Sequence, residues 1–508
     1  MRRLRPVKID TVGGLAYARA CAYACTLAFV CGTLITGCGA YSSFSKDVLG
    51  EYSSGVRQNR ATLDRANHDR YWRYRLRLAT EFMDPGEGPG KHLPADTIII
   101  RGKRVNVIRF ADATLQLAWY IGVLALETAM LESAGPEGAE LRNAARRNPD
   151  RVKLEARIPE QSFGSEPAHL RELYFALAAF DRLDRIAEPS FAKVCAGQAA
   201  DVPGFFIRDD VSDSPEMRAR MNRLWIESDY ASLEQADCRV RRPESNANAN
   251  AKTNGIRDCL DECPECFNGE ASQDQVYHLL MGLALVKRFV PPGTIVRGVD
   301  LNERARSQAR RLIAYLARNE WEMINPVCER PVRRGSYAEG YSYATACSAE
   351  KLTDGEYRPE ASSCLWTGAG LSGNPLYQNP DNRHLAMVLA AVGEAWGEDT
   401  YIDLQDLAAS EDWHLYPLLY IALHDPPAVS RVERNRLRAK LRPLIDSAPP
   451  DGPSFDGAPN PNPGWSSANR FLRGRDRQRG GGESYGAIYN GLDYMLLYGL
   501  ERIVFAAD

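Results

Sequence analysis

The sequence predicts an all-α fold built from two layers of helices. Six segments are apolar on nearly every side, and helices of this kind must be enclosed by the rest of the protein. Three further segments are amphipathic, with one apolar stripe each, and are expected to cover the first set. The enclosed segments are 113–132, 168–187, 273–290, 383–396, 414–424 and 484–505, and the covering segments are 215–236, 301–322 and 429–447.

Shorter features complete the predicted domain, which spans residues 52–508. Residues 52–83 carry a helical stripe, and Thr97–Ile108 has the pattern of a small β-hairpin turning around Gly102. Two irregular insertions follow. Residues 241–256 are low in complexity and rich in Asn and Ala, whereas 447–483 are rich in Pro and Gly with embedded aromatic residues. Those aromatic residues favour an ordered loop that could roof a cleft.

The N-terminus carries a basic segment, then an apolar one, then a cysteine. The apolar segment, residues 20–37, is too short to predict a spanning helix and has signal-peptide length. The stretch Ile35-Thr36-Gly37-Cys38 resembles the lipobox of bacterial lipoproteins. An ordinary cleaved signal and an uncleaved anchor helix are the alternatives.

The lipobox resemblance implies a signal peptide at 1–37, a lipidated Cys38 and a polar tether at 38–51. It also implies attachment to a membrane of the cell envelope, because more than one acyl chain on Cys38 would hold stably. By analogy with that family, Gly39 after the cysteine favours an outer-membrane location for the protein in a Gram-negative cell.

Composition and charge exclude several classes of protein. The chain has 508 residues and a formal charge of −3, and residues 1–37 carry five Lys or Arg and one Asp, so the remainder has a charge of −7. No basic patch for nucleic acid remains. The Gly-rich phrases lack phosphate-binding or dinucleotide spacing, so no cofactor is predicted. His414 and His424 are ten residues apart, a poor metal pair, and no metal is predicted.

The cysteines beyond the signal segment predict disulfides. An even number in an exported chain is typical of disulfide bonding, and the spacing alone does not choose the pairing. A metal site and free thiols are the alternatives. The candidates are Cys195, Cys238, Cys259, Cys263, Cys266, Cys328, Cys347 and Cys364.

Three phrases resemble segments of (α/α)-toroid proteins, in which an outer ring of helices wraps an inner ring. They are "DATLQLAWYIGVLALE" (112–127), "ASQDQVYHLLMGLAL" (271–285) and "YNGLDYMLLYGL" (489–500). The segments are similar to those of uncharacterised bacterial toroid lipoproteins and of glycan-processing toroids. This resemblance implies a cleft that binds or processes a carbohydrate. An irregular helical bundle or a solenoid of helical pairs is the alternative for the fold.

Asp274 is the first candidate for catalysis. Ser272 and Gln275 form a capping-box pattern, which places Asp274 in the first turn of a helix. His278 lies one turn later on the same face, so the two could serve as an acid/base residue and its partner. The alternative is a helix cap and a core histidine.

Asp112 and Asp493 are the second candidates. Asp112 precedes an enclosed helix and is also a plausible N-cap. Asp493 lies among apolar residues, with Asn490 predicted on the same helical face, so it either lines a polar cavity or belongs to a buried network. Glu127, near the end of an enclosed helix, needs a partner for the same reason.

Aromatic and histidine side chains of the second half are candidates for substrate binding, because flat rings beside carboxylates are suited to sugars. Filling of the core is the alternative. The aromatic and histidine candidates are Tyr341, Tyr343, Trp366, His384, Trp413 and Trp465. Asn490 is a further candidate for substrate binding.

Together these observations predict a lipid-anchored envelope protein whose helical cleft binds or processes a carbohydrate. If the protein is an enzyme, paired acid/base residues would carry out hydrolysis or elimination. A non-catalytic structural or binding lipoprotein is the alternative function.

Overall fold

The structure is a computed structural model, and the chain divides into two compact units, Met1–Arg65 and Ala66–Asp508. In the first unit Arg60 and Asp64, one turn apart on a helix, form an ion pair at 2.5 Å. The structure describes residues 45–101, 105–133, 135–160, 163, 165–195, 202–222, 225–231, 269–327, 330–332, 345–346, 348–357, 388, 391–393, 400–411, 414–424, 429–448, 454–455 and 487–505. Every site discussed below lies in the second unit.

The described residues are mostly helical, which confirms the predicted all-α class. The first helix begins at Ser45, inside the segment predicted as a tether, and continues into a π-helical turn at Leu78–Phe82. The helices are α1 Ser45–Arg77, α2 Ala113–Glu132, α3 Pro136–Arg147, α4 Pro149–Glu155, α5 Ala168–Arg185, α6 Ala187–Cys195, α7 Pro215–Arg220, α8 Gln273–Phe289, α9 Leu301–Arg318, α10 Thr400–Glu411, α11 Leu415–His424, α12 Arg431–Asp446 and α13 Leu492–Val504.

A sheet accompanies the helices, and its strands include the predicted hairpin. In that hairpin Ile98 pairs with Ile108 and Ile100 with Asn106, in antiparallel register. The strands are β1 Thr97–Arg101, β2 Val105–Arg109, β3 Trp225–Glu227, β4 Ile295–Val296, β5 Val299–Asp300, β6 Ile324–Asn325, β7 Arg330–Pro331, β8 Ser454–Phe455 and β9 Ala487–Tyr489. The largest sheet has the strand order β3-β2-β1-β9-β8.

The predicted amphipathic helix at 215–236 is wrong as one continuous helix, since only 215–220 and 229–231 are helical among its described residues. α7 ends at Arg220, and Trp225–Glu227 instead forms β3, which pairs in parallel with β2. Ile226 is buried between two exposed neighbours, the alternation of a strand with one covered face. Pairing with a strand more than a hundred residues earlier therefore overrides the local helical pattern. The predicted segments 241–256 and nearly all of 383–396 and 447–483 lie outside the described residues.

Three of the enclosed helices, α2, α8 and α13, pack side by side and run in the same direction. Gly282 of α8 meets the backbone of Ala118 so closely that an added Cβ would lie 2.4 Å from its carbonyl oxygen. Gly122, one turn further along α2, meets Leu285, one turn further along α8. Since the contacts advance together along both chains, α2 and α8 are parallel. α13 is parallel to α2 as well, because Gly122 also meets Leu496 and Gly499 meets Leu126, so all three helices begin at the same end.

α2 lies at the centre of this group, as its apolar sequence predicts. It is long and apolar enough to cross a membrane, yet 94% of its most apolar 18-residue stretch is buried inside the fold. Trp119 and Tyr120, its largest residues, have almost no exposed surface. α2 is therefore a core helix, and the predicted enclosure of this segment is confirmed.

Candidate active site

The starts of the three parallel helices meet at one end of the second unit. Between α2 and α8, the Thr114 hydroxyl lies 3.5 Å from Oε1 of Gln275. Between α2 and the residue that precedes α13, Asn490 Nδ2 donates to Gln116 Oε1 at 2.8 Å. The predicted catalytic residues Asp112, Asp274 and Asp493 each occupy one of these three helix starts.

One edge of the large sheet leads to the same place. β2 and β3 pair in parallel, and β2 and β9 both pair antiparallel to β1, so all three strands end at one edge. β2 leads to Asp112 before α2, β3 leads to Asp229, and β9 leads to Asn490 before α13. The Asn490 side chain also donates to the carbonyl of Ala95 at 2.7 Å, which ties the start of β1 to this edge.

Arg208 lies between two aspartates at this edge. Its Nη1 is 3.9 Å from Oδ1 of Asp112 and 3.6 Å from Oδ2 of Asp229. Its Nε donates to the carbonyl of Glu270 at 2.6 Å, and Nη1 donates to the carbonyl of Ala111 at 3.4 Å. Because both carboxylates approach the same nitrogen, their nearest oxygens are less than about 8 Å apart, which is below the upper limit of about 9.5 Å for glycosidase carboxyl pairs.

The two aspartates differ in environment. The Asp112 side chain is 37% exposed, whereas that of Asp229 is 20% exposed. Burial raises the pKa of Asp229 to about 6, Arg208 opposes the rise, and the negative charges of Asp112 and Glu227 add to it. The site therefore offers a carboxyl group that keeps its proton up to mildly acidic pH beside a more exposed carboxylate.

Solvent-facing residues of β2 and β3 extend the site. Arg109 pairs across the strands with Glu227, with Nε 3.3 Å from Oε1. Burial lowers the pKa of Arg109, but Asp96, Glu227 and Asp112 outweigh it, so the net pKa is raised. Trp225 lies on the same face as Glu227 and is 50% exposed.

Asp274 and His278 occupy the first turns of α8. The side chain of Gln275 accepts a hydrogen bond from the Ser272 amide at 3.2 Å, one half of the predicted capping box. His278 is fully buried between α8 and α2, and its Nδ1 accepts from Nε1 of Trp119 at 3.2 Å. This setting favours the core-histidine alternative for His278, whereas Asp274 is partly exposed at the helix start.

The predicted helical face shared by Asp493 and Asn490 is wrong. α13 begins only at Leu492, because Gly491 has a left-handed conformation with φ of +79° and packs against the ring of Tyr74. Asn490 therefore precedes the helix and bonds towards Ala95 and Gln116 instead. Asp493 is buried, and its Oδ1 accepts from the amide of Tyr494 at 2.8 Å.

Most predicted binding residues and the side chains of all predicted cysteines lie outside the described residues. They are Tyr341, Tyr343, Trp366, His384, Trp413 and Trp465, and the disulfide candidates with Cys38. Of the cysteines, only Cys195 has a described backbone, at the end of α6. Within the described ranges, no group of three or more His, Cys, Asp or Glu side chains could hold a metal ion.

Sequence reasoning missed Arg208, Asp209 and Asp229. A signal for the first two was present, because "FFIRDDV" at 205–211 places three consecutive charged residues between apolar ones. Charged residues in such a setting are buried only with partners. Asp229 had no comparable signal, since its segment was assigned to a helix.

Comparison with known proteins adds no relative to this description: no family model, no curated protein and no solved structure matches the chain. The fold and site define a mostly helical protein with a carboxyl pair at a sheet edge.

Proposed function

We propose that the protein cleaves glycosidic bonds of a polysaccharide by acid/base chemistry, with Asp229 as the proton donor and Asp112 as the second carboxylate. The observation that carries this proposal is the pairing of a carboxyl of raised pKa with an exposed carboxylate across Arg208. A carboxyl group of raised pKa beside a second carboxyl group is an arrangement suited to acid/base catalysis at one bond.

In the proposed hydrolysis the Asp229 carboxyl gives its proton to the glycosidic oxygen as the bond from that oxygen to the anomeric carbon breaks. Asp112 accepts a proton from a water molecule whose oxygen bonds to the anomeric carbon. One proton is given and one is taken, so the two groups exchange states and return to the start by proton exchange with solvent. Elimination from a uronic acid is the second form of the same acid/base chemistry.

Trp225 is the proposed sugar-stacking surface. It lies four residues before Asp229, and within the three-residue strand its Cα is about 7 Å from that of Glu227, at about 3.3 Å per residue. Arg218 stacks on its ring with Cζ 4.9 Å from the centroid, and Arg218 is in turn paired with Asp213.

Replacing Trp225 by alanine is expected to weaken glycan binding about 5- to 20-fold, which corresponds to about 1 to 2 kcal/mol of lost stacking. The effect should fall on KM with kcat retained, because a stacking ring takes no part in the proton transfers. Trp225→Phe should recover part of the affinity. Val432→Ala, at another exposed apolar side chain, is the matched control. A loss confined to kcat would contradict a binding role.

The proposed cleft belongs to a toroid of helices, and its floor is the end where α2, α8 and α13 begin. Parallel neighbouring helices are what an inner ring requires, and three such helices support the proposal. In this arrangement Asp274 borders the same cleft from the start of α8.

Attachment to the cell envelope through a lipidated Cys38 is also proposed, on the lipobox stretch Ile35–Cys38. Cys38→Ser is expected to move the protein from the detergent phase to the aqueous phase in a phase-partition assay and to abolish labelling by a radioactive fatty acid. Cys31→Ser, in the preceding apolar segment, is the matched control and should change neither result. Fatty-acid labelling of the Cys38→Ser protein would refute this anchor.

A non-catalytic structural or binding protein is the second candidate function. The observation that favours it is that Arg208 bonds to the main-chain carbonyls of Ala111 and Glu270, as a residue that only braces the fold would. The two candidate functions differ in whether the protein converts a substrate into product.

The deciding experiment is a screen of the purified protein against envelope and plant polysaccharides, with reducing ends and unsaturated products measured. Release of oligosaccharides that Asp112→Asn abolishes supports the proposed enzyme. Binding without release supports the second candidate, and silence across a broad panel contradicts the proposed chemistry.

A further inference from the structure

Three consecutive charged residues, Arg208, Asp209 and Asp210, are all buried, and each points to a different part of the fold. Arg208 faces the site aspartates. Asp210 pairs with Arg182, with Nε of that arginine 2.5 Å from Oδ2, and accepts from the amide of Gly90 at 3.1 Å. Asp209 turns towards the segment that follows β3.

The Asp209 carboxylate accepts hydrogen bonds from Ser228, Asp229 and Tyr230, the first three residues of the segment 228–231. The Ser228 hydroxyl donates to Oδ1 at 2.5 Å, and the amides of Asp229 and Tyr230 donate to Oδ2 at 3.1 and 3.5 Å. The Ser228 hydroxyl in turn accepts from the amide of Ala231 at 3.0 Å. One fully buried carboxylate therefore organises four consecutive residues, including the main chain of Asp229.

Asparagine is a poor replacement at this position because all of the groups around the carboxylate are donors. The amide of Val211 also donates to Oδ1, at 3.0 Å. An asparagine could offer its oxygen to one side only, and its NH₂ group would then face the amides of Asp229 and Tyr230. Burial raises the pKa of Asp209 to about 7, against hydrogen bonds from Ser228 and Val211 that lower it.

The main chain at Arg208 makes a second contact, with the first turn of α2. Thr114, in the first turn of α2, donates its hydroxyl to the carbonyl of Arg208 at 2.7 Å. The chain at 208–209 is thus bonded on one side to the helix that follows Asp112, and on the other side to the helix start that carries Asp229. A rigid second set of contacts of this kind is what precise placement of a reacting pair needs.

We infer that Asp209 is a positioning residue, which holds the helix start at 228–231 so that the Asp229 carboxyl stays across Arg208 from Asp112. This inference rests on the proposed function for its catalytic meaning. The placement itself can be measured without any substrate.

The test compares Asp209→Asn with Asp210→Asn, a neighbouring buried aspartate that contacts Arg182 and Gly90 instead. Hydrogen–deuterium exchange reports on the amides of 229–231, and carbon-13 NMR of labelled aspartate carboxyls, assigned with Asp229→Asn, reports on the pKa of Asp229. Ser228→Ala is the milder variant, since it removes one donor and keeps the Asp209 carboxyl group itself.

In Asp209→Asn and Ser228→Ala, exchange at 229–231 is expected to rise at least tenfold while amides in α2 keep their rates. The pKa of Asp229 should fall from about 6 towards 3.8, the ordinary value, as the carboxyl becomes hydrated. Asp210→Asn should change neither. Unchanged exchange and an unchanged pKa in Ser228→Ala and Asp209→Asn would overturn the inference.

Activity separates this inference from the proposed function. If a polysaccharide substrate is found, Asp209→Asn should lower kcat at least tenfold and shift the alkaline limb of the pH profile to lower pH. If no substrate is found but the exchange and pKa changes occur, the positioning of Asp229 holds and the proposed reaction fails.

Discussion

Replacing Arg75 by methionine is expected to lower the free energy of unfolding by about 3 to 5 kcal/mol at neutral pH, the usual cost of breaking a buried ion pair from one side. Arg75 is fully buried between two glutamates, with Nε 2.8 Å from Glu127 and Nη2 2.7 Å from Glu172. Methionine keeps much of the side-chain volume of arginine, so the loss of stability reflects the removal of the positive charge.

The physical reason is that the two glutamates share one cation inside the core. Tyr71 donates to Glu127 at 2.8 Å and Tyr120 donates to Glu172 at 2.6 Å. Burial alone would raise the pKa of Glu127, but Arg75 and the hydrogen bonds lower it below its ordinary value. Burial raises the pKa of Glu172, and Glu127 adds to the rise. Without Arg75 both carboxylates would be buried with no opposite charge.

The loss should therefore depend on pH. In Arg75→Met, folding favours protonation of both glutamates, so the destabilisation should shrink as the pH falls from 7 to 5, where they are neutralised at less cost. Urea unfolding followed by tryptophan fluorescence measures it. Arg73→Met, on the same helix but half exposed and paired with Asp150 at 3.7 Å, is the control and should cost less than about 1 kcal/mol.

Arg75→Met combined with Glu127→Gln and Glu172→Gln should recover part of the stability, because no uncompensated charge is then left in the core. Equal losses of unfolding free energy in Arg75→Met and Arg73→Met would contradict this account of the network. A loss in Arg75→Met that does not change with pH would also contradict it.

Glu127 illustrates what the sequence could predict of the fold. An acid near the end of an enclosed helix needs a partner, and the structure supplies Arg75 and Tyr71. The identity of those partners was not predictable, because they lie more than fifty residues earlier and no local pattern joins them. The same limit explains β3 and β9. Each strand is three residues long, and each depends on pairing with the distant hairpin.

The candidate site was predictable only in outline. Asp112 and Asp274 were predicted at the starts of enclosed helices, and they occupy the starts of α2 and α8. Asp493 was predicted inside the helical segment 484–505, whereas this helix begins at Leu492 and Asp493 lies in its first turn. Asp229 was missed because its place depends on β3 and on Asp209, which tertiary contacts alone bring together.

Asp229→Asn is expected to lower kcat/KM about 100- to 10,000-fold on the substrate found by the polysaccharide screen, the usual contribution of a general acid. In the unaltered protein, activity should fall as the pH rises above about 6, where Asp229 loses its proton. The pH profile of kcat/KM measures this limb. A limb that persists at the same pH in Asp229→Asn would assign the proton to another group.

The stability of Asp229→Asn separates catalysis from bracing. The folded-state pKa of Asp229 is raised above its ordinary value, so its contribution to stability is largest at low pH and is lost as the pH rises through about 6. The surroundings of Asp229, Arg208 included, thus disfavour its charged form in sum. A neutral asparagine should unfold at an equal or higher temperature than the aspartate at pH 7.5. If Asp229 only braced Arg208, Asp229→Asn would lower the unfolding temperature at that pH, and a residue whose removal stabilises the fold while ending turnover is one retained for chemistry.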